Sequence, residues 1–276
     1  MQQDILPGSS AADASNGNAA FYRQVMETLK EARLPFLVGG TWAYNRHTGI
    51  DRPTRDLDIF IRRGDFGSVA AALRNAGDEV DLTFPHWLGK VKRGGACIDI
   101  IFSSGNAIAE VDDLWFEHAA DAEVLGIPVK ISPAEEMIWS KAFIMERERY
   151  DGADVAHLLR ACGDRLDWAR LFGRFDAHWR VLLSHLILFG FVYPEHRHLV
   201  PQDVMDELLE RLRREQAGQE AAASHICHGT LLSREQYLID IEQQGLQDAR
   251  VEPLGKMSAA DTAHWTRAIR DDHEPQ

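Results

Sequence analysis

Hydrophobic positions in the first part of the chain switch between helical and strand-like spacing. In AAFYRQVMETLKEARL, apolar side chains recur at about every fourth residue, which predicts a helix. The apolar run PFLVGG ends at two glycines and predicts a short strand, and TWAYNRHTG predicts a helix that Gly49 closes. Acidic and apolar residues alternate in DLDIFIRR, which predicts a second strand. Residues 65–76 are typical of an amphipathic helix.

Further along, strand-like patterns give way to helical ones. The segments GKVKR and ACIDIIF flank Gly94 and Gly95 and predict a hairpin, and IPVKI predicts a last short strand. From Pro133 onwards the spacing is helical, with Ser132 as the expected N-cap and Pro133 as the first helical residue. More helices are predicted over residues 151–162, 167–175, 178–191 and 203–214. The pattern predicts an α+β fold, in which a small mixed sheet flanked by helices precedes a helical C-terminal region.

Composition suggests four parts of the chain. Residues 1–17 are rich in small and polar side chains, which predicts a disordered N-terminus. Residues 18–132 form the expected α/β domain and residues 133–216 the helical domain. Residues 217–276 are interpreted as an Ala/Gly/Gln-rich linker followed by a C-terminal tail of unspecified structure.

Composition also bounds the environment. At 276 residues and 45% hydrophobic content, the chain can bury a large core as one domain or two. It has no apolar run of about 18 residues and no basic stretch followed by an apolar one at the N-terminus, so we expect a cytoplasmic protein without a membrane partner. Cys97, Cys162 and Cys227 are widely spaced and odd in number, which predicts free thiols.

Charge is distributed unevenly. The formal net charge of -13 disfavours an extensive nucleic-acid interface. Residues 34–104, however, hold nine Lys or Arg against eight Asp or Glu, so the excess of acid lies elsewhere. An anionic ligand is therefore expected to bind this segment.

Three carboxylates in that segment carry the candidate chemistry. Asp56 and Asp58 are two residues apart on a predicted strand and should project from the same face. Asp99 lies within the apolar run CIDIIF, where a buried acid needs a partner. If the two strands pair, the three carboxylates share one surface and could hold two Mg²⁺ ions. Gly39 and Gly40, between a strand and a helix, would offer backbone N–H groups to phosphates.

Ordinary explanations compete with each of these features. Asp56 and Asp58 could be solvated acids on the outer face of a surface strand. Gly39 and Gly40 could form an ordinary strand-to-helix turn. Asp99 could be a core acid paired with an arginine. The order of all the features along one chain favours the catalytic interpretation.

This order of motifs resembles the nucleotidyltransferase superfamily, which includes DNA polymerase β, aminoglycoside nucleotidyltransferases and the AbiEii-type toxins. The resemblance covers about residues 18–150, and RPTRDLDIFI and SKAFIMERERYDGADVAHLL are most similar to the AbiEii-like and uncharacterised bacterial branches. It implies a nucleotidyltransferase-like sheet, an NTP substrate and two Mg²⁺ ions held by Asp56, Asp58 and Asp99. Asp99 would be a metal ligand or the base for the attacking hydroxyl.

The resemblance also implies which residues contact the nucleotide. Gly39 and Gly40 would contact the phosphates, and a basic residue on the helix after the sheet, Lys141, would lie near them. The second motif glycine is often serine in the family, so Thr41 would have to supply the missing hydroxyl. Fifteen residues separate Gly40 from Asp56, a long spacing for the family.

Several neighbouring residues keep two interpretations. Arg52 and Arg55 could bind triphosphate oxygens or form salt bridges with nearby acids. The segment RERYDGAD is interpreted as a helix–helix junction that supports the fold. The segment FPHW could stack on a base, although packing against the sheet is favoured.

Two classes of function follow. The first is Mg²⁺-dependent transfer of a nucleoside monophosphate from an NTP to a hydroxyl, with pyrophosphate release, the acceptor being a small molecule, a tRNA 3′ end or a protein. The second is a non-catalytic nucleotide- or partner-binding module, such as one half of a toxin–antitoxin pair.

Overall fold

The computed structural model describes residues 11–54, 56–218 and 225–273. Seven strands and four helices precede residue 132, and seven helices and two short strands follow in the described residues. The strands are β1 (Leu37–Val38), β2 (Asp58–Phe60), β3 (Glu79–Phe84), β4 (Leu88–Arg93), β5 (Ala96–Ile101), β6 (Ala120–Val124), β7 (Ile127–Ile131), β8 (Ile226–Cys227) and β9 (Gln247–Asp248). The helices are α1 (Ala11–Glu31), α2 (Gly40–Thr48), α3 (Phe66–Asn75), α4 (Asp113–Glu117), α5 (Ala134–Ala142), α6 (Gly152–Cys162), α7 (Trp168–Phe175), α8 (Trp179–Val192), α9 (Gln202–Gln216), α10 (Leu238–Glu242) and α11 (Ala259–His273).

A mixed sheet forms the centre of the fold. Seven strands lie in the order β3-β4-β5-β2-β1-β7-β6. The pairs β2–β5 and β1–β7 are parallel, and the remaining neighbours are antiparallel. The α+β class, with a mixed sheet flanked by helices and followed by a helical region, is confirmed.

The strand predictions succeeded in the sheet interior and failed at its edges. The hairpin of β4 and β5 turns at Gly94 and Gly95, whose φ angles of 55° and 88° suit a tight two-residue turn. Strands β3 and β6 were not predicted. They are the two edges of the sheet, and most of their side chains reach solvent. Their sequences, EVDLTF and ADAEV, nevertheless alternate polar and apolar residues, so the strand pattern is present in both.

Helix α5 begins differently from the prediction. Its N-cap is Pro133 rather than Ser132, and the Ser132 hydroxyl has no hydrogen-bond partner among the described residues. Ser132 instead extends the sheet, because its backbone N–H donates to Val38 and its carbonyl contacts Nε2 of His47 at 2.8 Å. The expected cap was therefore wrong, since Ser132 follows the last residue of β7 and its backbone still pairs with β1.

Buried ion pairs join two helices of the helical region. Glu135 and Glu136, near the start of α5, are buried and face arginines of α7. Arg170 pairs with Glu135 at 2.8 Å and with Glu136 at 2.5 Å, and Arg174 Nε lies 3.1 Å from Glu136. One continuous hydrophobic cluster joins the sheet to α5, α6 and α8, which fixes the helical region against the strands.

The ends of the chain fall only partly within the described residues. Helix α1 begins at Ala11, inside the segment expected to be disordered, while residues 1–10 lie outside the description. Of the expected linker, residues 219–224 also lie outside it. Cys97, Cys162 and Cys227 are free thiols, as predicted.

Within the described residues, one helical stretch, Trp168–Val192, is long and apolar enough to cross a membrane, with a mean hydropathy of 1.2. Core helices of soluble proteins share these properties, and this stretch contributes Leu182, Leu186 and Phe189 to the core. The cytoplasmic location stays a prediction.

Candidate active site

Two of the three predicted carboxylates lie side by side on the sheet. Strands β2 and β5 pair in parallel with Asp58 opposite Asp99, so both side chains project from the same face. Their neighbours Ile59 and Ile100 are fully buried on the opposite face. The predicted pairing of these strands is observed, and it follows from the alternation of acidic and apolar residues.

Asp58 has the most perturbed environment of this group. Burial raises the pKa of Asp58, and repulsion from Asp99 and Asp56 adds to the effect, from 3.8 to about 6. No hydrogen bond or ion pair to its carboxylate is found among the described residues. A carboxylate in this position gains most from a cation, because no hydrogen bond or ion pair from the described residues offsets its desolvation.

Because position 40 is a glycine, the N-terminus of α2 can lie next to the Asp58 carboxylate. A Cβ at Gly40 would lie 1.6 Å from Oδ2 of Asp58, and the φ of Gly40 is +53°. At Gly39, a Cβ would lie 2.2 Å from the Phe60 ring, and the Gly39 N–H donates to the Asp58 carbonyl over 2.9 Å. Only glycine therefore brings the N-terminus of α2 against Asp58, and the serine common at the second position would not fit.

Asp56 lies apart from the other two acids. Strand β2 begins at Asp58 and is shorter than predicted, because the carbonyl of Asp56 accepts hydrogen bonds from the Thr54 hydroxyl and the Trp42 indole rather than from a strand. The Asp56 side chain is exposed and does not line the cleft, although its charge still raises the pKa of Asp58.

Asp99 has the partner that a half-buried acid requires. Nζ of Lys90 lies 2.7 Å from Oδ1 of Asp99, and both side chains are about one third exposed. Lys90 stands directly opposite Asp99 in the β4–β5 register. Burial lowers the pKa of the Lys90 ammonium, but the hydrogen bond to Asp99 and the charge of Asp99 together outweigh it, so the pKa is raised. The sequence-based alternative for Asp99 was an arginine partner, and the observed partner is a lysine.

The donor set fits a divalent cation only in part. Within residues 11–54, 56–218 and 225–273, no group of three or more His, Cys, Asp or Glu side chains is close enough to hold a metal ion. The expected three-carboxylate cluster is therefore not assembled. Asp58 and Asp99 remain, and Mg²⁺ is commonly held by one or two carboxylates together with substrate phosphates. A second ion would require Asp56 to turn into the cleft.

A network of cations faces the carboxylates. Lys141, on α5, contacts Asp151 and Asp154 at 2.8 Å each, and Arg149 pairs with Asp151 at 2.9 Å. Burial would raise the pKa of Asp151, but the hydrogen bond from Arg149 and the charge of Lys141 lower it to about 2. Lys141 and Arg149 both line the cleft and both lower the pKa of Asp58. Sequence reasoning placed Lys141 near the phosphates but assigned Arg149 to fold support.

The other residues considered for nucleotide contact are Arg52, Thr41 and Arg55. Arg52 does form a salt bridge, but with Asp154, through contacts of 2.6 and 3.1 Å, and it lies 4.3 Å above the Tyr44 ring. Thr41 is half-buried in the first turn of α2. Arg55 lies outside the described residues.

The carboxylates of Asp58 and Asp99 and the cations that face them line a cleft of about 430 Å³. Gly40, Asp58, Asp99, Lys141 and Arg149 are among its lining residues. Trp87 and other aromatic side chains line the same cleft, so FPHW contributes to the cleft as well as to packing. Trp87 stacks on Phe84, with ring centroids 5.8 Å apart.

The C-terminal segment, which we define as residues 225–273, closes one side of the cleft. It contributes Leu231, Leu232, Arg234 and Trp265 to the lining. The carbonyl of Leu231 accepts a hydrogen bond from the Asn106 amide over 2.7 Å, and a Cβ at Gly105 would lie 2.4 Å from the Trp265 ring. This segment was predicted only as a tail of unspecified structure, and the sequence contained no signal for its location.

Glu146 fastens this segment to the body of the protein. Its carboxylate accepts hydrogen bonds from the Ser233 hydroxyl at 2.5 Å and from the backbone N–H and Nε of Arg234 at 3.0 and 3.2 Å. The Glu146 side chain is 11% exposed. A charged acceptor satisfied by three donors at low exposure holds its partners firmly.

Comparison with known proteins gives distant matches only. No family model matches the chain, and no curated protein sequence does either. The solution structure of the antibiotic-resistance factor ANT(2'')-Ia is similar over 62% of this chain and 97% of its own, with 17% identity and a TM-score of 0.43. The crystal structure of ANT(2'')-Ia with adenylyl-2''-tobramycin shares 18% identity over 58% of this chain and 96% of its own, with a TM-score of 0.41.

A third solved structure extends this group. The lincosamide antibiotic adenylyltransferase LnuA, with lincomycin bound, shares 15% identity over 51% of this chain and 94% of its own, with a TM-score of 0.36. At these identities and TM-scores, the similarities assign no activity to the chain. The functional conclusion has to come from the cleft itself.

Proposed function

We propose that the chain is a Mg²⁺-dependent nucleotidyltransferase, which moves a nucleoside monophosphate from an NTP to a hydroxyl acceptor and releases pyrophosphate. One observation supports this most directly. The Asp58 carboxylate lies beside Asp99 and against Gly40 at the N-terminus of a helix, with no partner among the described residues. Placing an anion-binding helix start next to a cation-binding pair of acids suits a metal-bound triphosphate.

Under this proposal, different residues of the cleft bind the metal, bind the phosphates and compensate their charge. Asp58 and Asp99 would hold the metal, and Mg²⁺ when bound would neutralise and orient the phosphates. Of the two predicted glycines, Gly39 already donates its N–H to the Asp58 carbonyl, so the backbone N–H of Gly40 would bind phosphate oxygens, which the dipole of α2 favours. Lys141 and Arg149 would offset the charge that develops on the phosphates.

Asp99 is also the group proposed to take the proton of the attacking hydroxyl. Its side chain is 31% exposed, so an acceptor can reach it, and Lys90 fixes its orientation from the neighbouring strand. The proton would move from the acceptor oxygen to a carboxylate oxygen of Asp99 as the oxygen attacks the α-phosphorus and pyrophosphate leaves.

Other observations favour a second candidate, a non-catalytic nucleotide- or partner-binding module. The ion pair between Lys90 and Asp99 occupies one of the two carboxylates, and Asp56 lies outside the cleft. A module of this kind, including an AbiEii-like member of a toxin–antitoxin pair, would bind nucleotide without transferring it. Both candidates predict nucleotide binding, so only transfer separates them.

Label transfer tests the proposal. The chain would be incubated with Mg²⁺, α-phosphate-labelled NTPs and separate acceptors, namely total tRNA, tobramycin, lincomycin and a cell extract. We expect label in one acceptor, and a loss of about 100-fold or more in Asp58→Asn because the metal loses a carboxylate ligand. Asp81→Asn is the control, since Asp81 is a 61% exposed strand acid outside the cleft.

Two results would speak against the proposal. Undiminished transfer by Asp58→Asn would exclude the role given to that carboxylate. Tight NTP binding without label in any acceptor would favour the non-catalytic module.

A further inference from the structure

One side of α8 is apolar and exposed to solvent. The side chains concerned, which keep between 43% and 80% of their surface exposed, are Ile187, Leu188, Phe191 and Val192. Their spacing puts them on the same side of the helix, whereas Leu186 and Phe189 are buried in the core. We call these four exposed residues the α8 face. A contiguous exposed apolar surface of this kind marks an interaction site.

The α8 face carries no charged side chain, which restricts the partners that it can bind. The chain as a whole has a formal net charge of -13, so most surfaces of two copies repel each other. Contact through an uncharged face avoids this repulsion locally, and burying it against another apolar surface is favourable. A second copy of the chain offers such a surface, because it carries the same face.

The α8 face is complementary to itself when two copies of α8 lie antiparallel. With a two-fold axis between Ile187 and Leu188, each residue meets the residue that is equally far from the axis in the other copy. Phe191, the most exposed side chain of the face, then packs on the small Ser184 of the other copy. The Ser184 hydroxyl already donates to the Val181 carbonyl over 2.7 Å, so covering it leaves no unpaired donor.

The same axis brings opposite charges together at the ends of the face. Arg180, in the first turn of α8, is as far from the axis as Glu195, in the 3-10 turn Pro194–Leu199 that follows the helix. Arg180 pairs with Glu215 of its own chain, but 55% of its side chain stays exposed. Glu195 is exposed and has no ion pair within the described chain. Each end of one copy therefore faces the opposite charge of the other.

We propose that α8 is a self-association surface, through which two copies of the chain pair antiparallel about a two-fold axis between Ile187 and Leu188. This proposal concerns a surface outside the cleft and does not depend on the transfer reaction. The four residues of the face are fewer than the roughly 20–30 residues per side of a standard interface. The dimer is therefore expected to be weak, with a dissociation constant of about 10 µM.

Sedimentation equilibrium of the full chain, from about 1 to 200 µM, tests the proposal. The mass of the wild type should rise from 31.1 kDa towards twice that value. Ile187→Asp and Phe191→Asp should each weaken the dimer about tenfold or more, because each buries a carboxylate at its centre. Ile239→Asp is the matched control, since Ile239 is a similarly exposed helical residue on α10. All three positions are exposed, so the variants should fold, which urea unfolding checks.

Charge reversal tests the antiparallel arrangement. Glu195→Arg should weaken the dimer a few fold, because it places like charges opposite each other at both ends of the contact. Adding Arg180→Glu to the same chain should restore the wild-type dissociation constant, since opposite charges face each other again. A contact that does not join these two ends would not be restored.

Four results would overturn the proposal. They are a wild type that stays at 31.1 kDa over the whole range, an equal effect of Ile239→Asp and Ile187→Asp, and a double variant no tighter than Glu195→Arg alone. The fourth is a monomeric wild type that binds phosphatidylcholine–phosphatidylglycerol vesicles through Phe191, which would assign the α8 face to a membrane surface.

Discussion

At the scale of single residues, the site depends on Gly40, because a residue with a side chain does not fit at this position. Gly40 combines a φ of +53° with a separation of 1.6 Å between an added Cβ and Oδ2 of Asp58. Gly49 has a similar φ of +71° but no described atom within 4 Å of an added Cβ. A side chain at Gly49 would therefore meet backbone strain alone, whereas a side chain at Gly40 would meet both backbone strain and steric overlap with Asp58.

We expect Gly40→Ala to lower the free energy of unfolding by about 3 kcal/mol or more, because it adds a clash with Asp58 to the strain of a positive φ. Gly49→Ala should cost only about 1 kcal/mol, from the strain alone. Urea unfolding of both variants measures the difference. Equal losses would show that the contact between Gly40 and Asp58 does not constrain the fold.

Residue-level prediction from the sequence reached the acids but not their partners. The alternation in DLDIFI and CIDIIF located Asp58 and Asp99 on paired strands. The Lys90 partner could have been found as well, because a two-residue turn at Gly94 and Gly95 pairs Arg93 with Ala96 and, counting back, Lys90 with Asp99. The need for glycine at position 40 could not be predicted, since it depends on how close α2 comes to β2.

At the scale of elements, sequence patterns were informative where one face is buried. The hairpin of β4 and β5 and the helices α6 to α9 match their predictions within a few residues, because each buries one regular apolar face. The edge strands β3 and β6 were not predicted, although EVDLTF and ADAEV alternate polar and apolar residues. The start of α5 could not be predicted from local periodicity, because it depends on the hydrogen bond between Ser132 and Val38, which is distant in the chain.

The C-terminal segment is the element whose placement matters most for the cleft. We expect Glu146→Ala to release its first part, because Ser233 and Arg234 lose their common acceptor. Hydrogen exchange should become faster at the backbone amides of residues 231–236 and stay unchanged in β5.

Glu148→Ala is the control for that measurement. Glu148 lies 3.9 Å from Arg234 and is 45% exposed, so its ion pair contributes little. Exchange rates that are equal in the two variants would show that Glu146 does not fasten the segment.

At the scale of the whole molecule, the fold maintains a destabilising charge where the substrate would bind. The sheet brings Asp58 beside Asp99, and the helical region brings Lys141 and Arg149 towards them from α5 and the residues after it. These cations reduce the repulsion at Asp58 but do not remove it, since the pKa of Asp58 stays near 6. Such a group is typical of a binding site rather than of a stabilising core.

The raised pKa links the stability of the protein to pH. Folding favours the protonated form of Asp58, so its contribution is fully present below about pH 3.8 and is lost as the pH rises through about 6. Above that range the ionised carboxylate lowers the free energy of unfolding, and a bound cation would restore it. Asp58→Asn should remove both effects.

The most direct test of the central claim is therefore the free energy of unfolding at about pH 8, with and without about 10 mM Mg²⁺, in wild type, Asp58→Asn and the Asp81→Asn control. Without Mg²⁺, Asp58→Asn should be more stable than wild type by about 1–3 kcal/mol. Mg²⁺ should stabilise wild type and Asp81→Asn by about 1 kcal/mol or more and leave Asp58→Asn unchanged. An equal response to Mg²⁺ in all three proteins, or none in wild type, would contradict a metal site at Asp58.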